Sequence, residues 1–187
     1  FLSSILILSF PLNKTFLKRS MVWSLFGFVI HLGFFASLLQ IISNNNLQST
    51  FLEIESGKFL IFYIVLIAIL MDSIAFFAGK SLGKRPFITN VSPNKTLEGF
   101  MAAIIATPLL LSTISFNIFN LPFFLVLCIL VVVSLYSVLG DAFASMMKRV
   151  VEVKDYSSLI PGHGGLFDRL DSHIAAFPCF VFLMNIV

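Results

Sequence analysis

Four apolar runs, near residues 21–42, 59–79, 100–119 and 122–140, constrain this chain before any single residue is considered. Roughly 20 consecutive apolar residues are enough to carry a helix across the hydrocarbon of a bilayer. A small soluble globule could not hide four of them. The chain is 58% hydrophobic and only 11% charged over 187 residues, whereas a soluble domain carries about 25% charged residues. The expected fold class is an all-α polytopic membrane protein with about five to six transmembrane helices. A partial span precedes Pro11, and a last one runs from about 173 to the end. Residues 1–187 read as a single membrane domain without repeats. The chain opens on Phe1 with no basic leader, so truncation at the N-terminus is expected. Cys128 and Cys179 lie inside apolar runs and read as small buried hydrophobes.

The net charge of +3 has a topological explanation, so nucleic acid is not an expected partner. Lys14, Lys18 and Arg19 lie in the 11–20 loop. Lys80, Lys84, Arg85 and Lys95 lie in 80–99, and Lys148, Arg149, Lys154 and Arg169 in 141–171. If every span crosses, these loops share one side, and Lys58 alone lies opposite. The positive-inside rule assigns the crowded side to the cytoplasm.

Three polar clusters fall on that side. The first begins at Asp72 near the end of a span, in "MDSIAFFAGKSLGKRPF". A carboxylate inside a membrane is costly and marks a functional site by default. The second is "SPNKTLEGF", where Pro93 and Asn94 suit a turn and Thr96 suits a helix cap. Lys95 would add a point charge for phosphate at a helix start. The third, residues 140–172, is the richest. If the helix continues past Gly140, then Asp141, Ser145, Lys148, Arg149 and Glu152 share a face. Lys154 and Asp155 follow, then "PGHGG", whose glycines allow close approach of backbone to a ligand. Asp168 and Asp171 are three apart and share a helix face, whereas Arg169 points elsewhere.

Hard cations such as Mg²⁺ take oxygen ligands and bridge carboxylates to phosphates. Asp141, Asp168 and Asp171 supply such oxygens, and the lysines and arginines supply a phosphate clamp. A surface salt-bridge network is the bland alternative for any one of these residues. His163 remains open between metal ligand, proton carrier, turn residue and phosphate donor, with the ligand role least favoured because Mg²⁺ prefers oxygen. His31 and His173 read as structural.

"SMMKRVVEVKDYSSLIPGHGGLFDRLD" resembles the signature of the phosphatidate cytidylyltransferase family, the CDP-diacylglycerol synthases. The matching positions are Ser145, Lys148, Arg149, Lys154, Asp155, Pro161 through His163, Gly164, Gly165, Asp168, Arg169 and Asp171. "DSIAFFAGKSLGK" from Asp72 and "SPNKTLEG" from Ser92 extend the resemblance over roughly residues 60–187, the expected catalytic core. The resemblance implies that CTP and phosphatidic acid give CDP-diacylglycerol and pyrophosphate in phospholipid biosynthesis. It further implies Mg²⁺ dependence with room for a second cation, and a homodimer in a bacterial inner membrane. It makes Asp141 and Asp168 the leading metal ligands, with Asp171, Asp72 and Asp155 in support. Two rivals stand beside it: a lipid (polyprenol) kinase using CTP or ATP, and a transporter with a carboxylate site. The Pro-Gly-His-Gly-Gly and Asp-Arg spacing weighs against the kinase. The clustering of acids at one membrane face weighs against the transporter.

Overall fold

The computed structural model describes residues 7, 10, 20–43, 56–153, 155–157, 165 and 167–187. Among them are five helices and one two-stranded sheet, in the order α1 (Ser20–Ser43), α2 (Ser56–Leu82), β1 (Pro86–Ile88), β2 (Ser92–Thr96), α3 (Leu97–Phe119), α4 (Phe123–Val150) and α5 (Phe167–Ile186). The first four helices are long and apolar enough to cross a membrane. The fifth begins with the charged turn Phe167-Asp168-Arg169 before its apolar run. Phe28, Phe35, Leu39, Phe62 and Phe77 are exposed on the outside of the bundle. In water such a surface would aggregate, whereas in a bilayer it meets acyl chains, and the chain is an integral membrane protein.

The four long spans expected from sequence are present as helices, with shifted ends. The fourth runs on without a break from the apolar stretch to Val150, so one 28-residue helix carries both a membrane span and the polar stripe beyond Gly140. It stops short of Glu152, whose φ of 61° places that residue in the turn rather than on the stripe. Pro108 and Pro178 lie inside α3 and α5, which continue past them. The partial span expected before Pro11 lies outside the described residues except for Ile7 and Phe10.

Helix packing follows from the apolar faces. Ile64, Ile67 and Met71 of α2, Ala103 and Leu111 of α3, Val133 of α4 and Phe180 of α5 are buried in one core. One polar pair lies within it: Tyr63 Oη donates to Ser115 Oγ at 2.5 Å, which donates on to Leu111 O at 2.6 Å, whereas the buried hydroxyls of Thr107 and Ser134 have no partner among the described residues. Cys128 departs from expectation. It is exposed on the outside of α4 rather than buried, because its face of the helix meets lipid.

The short sheet was not expected, since "SPNKT" reads as a turn. Its strands are antiparallel, with Pro86 opposite Thr96 and Ile88 opposite Ser92. Glu98 holds the entry to the sheet, its Oε2 accepting from the N–H of Lys84 at 3.0 Å and of Arg85 at 3.1 Å. Thr96 caps α3 as expected, its Oγ1 accepting from Gly99 N at 3.2 Å. At the far end, Val91 is buried with Ala142, Met146 and Val150 of α4. The hairpin is thus pinned at one end to α3 and at the other to α4. That orientation carries Lys95 to the flank of α4.

Candidate active site

Lys148, in the last turn of α4, organises one half of the site. Only 10% of its side chain is exposed, and a buried ammonium without partners would be expensive. Its Nζ donates to Asp168 Oδ1 at 2.8 Å and lies 3.7 Å from Asp171 Oδ2. Both carboxylates project from the start of α5, three residues apart and therefore on one face. The second oxygen of Asp168 accepts the N–H groups of Tyr156 and Gly165, each at 2.9 Å. Burial alone would raise the Asp168 pKa. The Lys148 ammonium and the two N–H donors outweigh it and hold that carboxyl below its ordinary value. Asp171 has fewer donors. Burial, then the Asp141 carboxylate, push its pKa up to about 7 against the pull of Lys148.

The other half is built around Asp141. A Cβ on its neighbour Gly140 would lie 2.7 Å from the Asp171 carbonyl oxygen and 2.8 Å from Ala175 Cβ. Glycine there lets α4 and α5 close together, which sets Asp141 beside Asp171. The Asp141 carboxylate is bonded by the Lys95 ammonium of β2. Lys95 also lines a cavity of about 440 Å³ between α2, the hairpin and α3. Asp72, Lys80, Ser92 and Asn94 give this cavity its polar lining, and Phe87 and Phe100 part of its apolar wall. Phe87 and Phe100 stack on each other with centroids 4.7 Å apart.

Residues from all three sequence clusters therefore meet: Asp72 from the first, Lys95 from the second, Asp141, Lys148, Asp168 and Asp171 from the third. Each anchored acid of the last group is matched by a lysine. Among the described residues, no three acidic, histidine or cysteine side chains form a ready-made metal cage. The donors are nevertheless carboxylate oxygens, the type a hard divalent cation takes.

Other expected residues are placed differently. Arg149 turns toward the hairpin, its Nε donating to Val91 O at 3.4 Å. Arg169 and Asp155 are exposed, while Ser145 is half-buried on α4. Lys154, His163 and Gly164 lie outside the described residues. Gly165 is described, and its N–H is bonded to Asp168. Of the two histidines read as structural, His31 donates from Nδ1 to Gly27 O at 2.7 Å, and His173 packs against Phe177. Tyr156, Gly140 and the Val91 carbonyl were missed. Tyr156 bonds Asp168 through its backbone N–H and Gly140 matters by its absent side chain, features that a charge-based reading of the sequence does not single out.

The bundle defines a membrane protein with a cluster of lysine-paired carboxylates at one end. The sequence matches the cytidylyltransferase family over residues 1–187, and the chain belongs to that family. It is 41% identical over 140 residues, 72% of the chain, to a protein named phosphatidate cytidylyltransferase from Bacillus subtilis. It is 36% identical over 188 aligned positions, 96% of the chain, to one of the same name from Haemophilus influenzae. A third, from Helicobacter pylori, is 40% identical over 118 residues, 63% of the chain. The chain spans 52%, 63% and 44% of the lengths of these relatives, respectively.

Proposed function

We propose that the chain transfers a cytidylyl group from CTP to phosphatidic acid, forming CDP-diacylglycerol and pyrophosphate. The observation that carries this reading is the paired pattern of Lys148 with Asp168 and Asp171, and of Lys95 with Asp141, at one end of a membrane bundle. Family membership and the names of the relatives support it.

A phosphate oxygen of phosphatidate is already anionic. It attacks the α-phosphorus of CTP, and the bond from that phosphorus to the bridging oxygen of pyrophosphate breaks. No protein nucleophile or strong base is required. Such a transfer depends on positioning and on neutralising charge. Asp141, Asp168 and Asp171 would hold Mg²⁺, with Asp72 and Asp155 as supporting acids. When bound, the ion offsets the repulsion between two polyanions and the charge on departing pyrophosphate. In the ground state Lys148 and Lys95 neutralise the same carboxylates. With a cation held by those carboxylates, both ammonium groups would be available to phosphate oxygens. Lys154, Arg149, Arg169 and His163 are proposed as further phosphate contacts. The cavity beside Asp72 and Lys95 offers room for the polar part of one substrate.

The site is proposed to face the cytoplasm of a bacterial inner membrane, following the one-sided lysines and arginines. A homodimer is the proposed assembly, on the family resemblance. Purified protein supplied with CTP, phosphatidate and Mg²⁺ is expected to form CDP-lipid and release pyrophosphate, with activity lost in chelator and restored by Mg²⁺. Release of CDP with a phosphorylated lipid would instead mean kinase chemistry.

A further inference from the structure

We infer that Tyr156 is a positioning residue that keeps the Lys148 ammonium at the site while its carboxylate partners exchange it for other charge. The inference rests on the cytidylyl-transfer reading above and adds a residue that reading does not use.

Tyr156 meets both members of the buried ion pair. Its ring lies under the Lys148 ammonium, with Nζ 5.3 Å from the ring centroid. That is within the range of a cation–π contact. Its backbone N–H donates to Asp168 Oδ2 at 2.9 Å. Its hydroxyl donates to Ala144 O at 3.3 Å, one turn before Lys148 on the same helix. One residue of the connection between α4 and α5 thus touches the helix that carries the cation, the cation itself and the acid opposite.

The chemistry of the ring decides what this contact is for. A carboxylate partner competes with phosphate for the ammonium, and a carboxylate given to a metal ion leaves the ammonium unpaired in a buried place. An aromatic face attracts a cation without carrying net charge. It can therefore stay beneath Lys148 while phosphate oxygens replace Asp168 and Asp171 above it. A ring that holds the ammonium in place for phosphate serves substrate binding and the transition state alike, and losing such uniform binding raises KM more than it lowers kcat.

The test compares wild type with Tyr156→Leu, Tyr156→Met, Tyr156→Phe and Tyr156→Trp, measuring kcat and KM separately for CTP and phosphatidate at saturating Mg²⁺. Tyr156→Leu removes the ring and keeps the N–H. It is expected to raise the KM for at least one anionic substrate roughly two- to thirty-fold, the equivalent of one cation–π contact, with kcat much less affected. Tyr156→Phe and Tyr156→Trp keep an aromatic face and are expected to stay within about twofold of wild type, a change of under half a kcal/mol. Tyr156→Met repeats the loss of the ring if the leucine variant does not fold. An active wild type whose ring-less variants keep both KM values overturns the inference. So does a phenylalanine variant that falls as far as the leucine variant, since that would make the hydroxyl the working group. A wild type with no cytidylyl transfer overturns the parent reading and this inference with it.

Discussion

At the scale of single residues, the site is a set of carboxylates held in unequal environments. Asp168 has an ammonium and two N–H donors, and its pKa lies below the ordinary value; Asp171 is raised to about 7. The two therefore have opposite pH signatures. Asp168 contributes stability that is present above the unfolded carboxylate value and is lost as pH falls through its lower folded value. For Asp171 the folded chain keeps a proton that the unfolded chain has released, so stability falls as pH rises from 3.8 toward about 7. Thermal midpoints of metal-free protein in detergent are expected to drop across that window, and Asp171→Asn is expected to flatten the slope. An unchanged slope in the variant would assign the titration to another group. Asp168→Asn is a sharper probe of chemistry. The amide oxygen can still accept the N–H groups of Tyr156 and Gly165, so folding should survive, while the charge opposite Lys148 is lost. Turnover is expected to fall roughly 100-fold or more, the scale of a missing electrostatic contact in a transition state. Near-normal CDP-lipid formation at saturating Mg²⁺ would remove Asp168 from the site.

At the scale of elements, two close approaches locate these residues. Gly99 at the start of α3 would place a Cβ 2.5 Å from the Ala75 carbonyl of α2. Gly140 makes the corresponding contact between α4 and α5. Gly140→Val is expected to cost about 1–3 kcal/mol through overpacking. It should also part Asp141 from Asp171, so activity should fall by more than the loss of folded protein explains. Parallel measurements of thermal midpoint and specific activity check this; a stable, fully active variant would show that the helix spacing is not critical. The elements were unequally legible. Long apolar runs announce helices because each must satisfy its own backbone within lipid. The hairpin at 86–96 carries no such signal. Its second strand contains Pro93 and Asn94, typical turn residues, and it forms because Val91 is buried against α4 and Glu98 caps the approach to β1.

At the scale of the whole molecule, the described residues form a lipid-facing bundle with most of their charge at one end. The alternation of basic loops predicts a definite orientation. In a background with Cys128 and Cys179 replaced by Ala, Lys84→Cys should react with a membrane-impermeant thiol reagent only from the cytoplasmic side. Asn120→Cys, in the short α3–α4 connection, should react only from the opposite side. Labelling of both from one side would mean that α3, the helix between them, does not cross. The same arrangement suits the proposed meeting of a water-soluble nucleotide with a lipid: Asp168 and Asp171 stand where α5 passes from its charged first turn into its apolar run.

The amino-acid sequence alone determined the membrane class, the approximate spans and the acidic, basic and glycine-rich signature. Hydrocarbon length, helical periodicity and residue charge are local properties that one strand of text can carry. Tertiary structure decided the pairing. Lys95 and Asp141 are 46 residues apart and meet only because a hairpin is pinned across two helices. Lys148 faces Asp168 and Asp171 because the head of α5 packs against α4, with Tyr156 bonded to both. Such contacts depend on how bodies pack, and the residue types at either end admit many other partners.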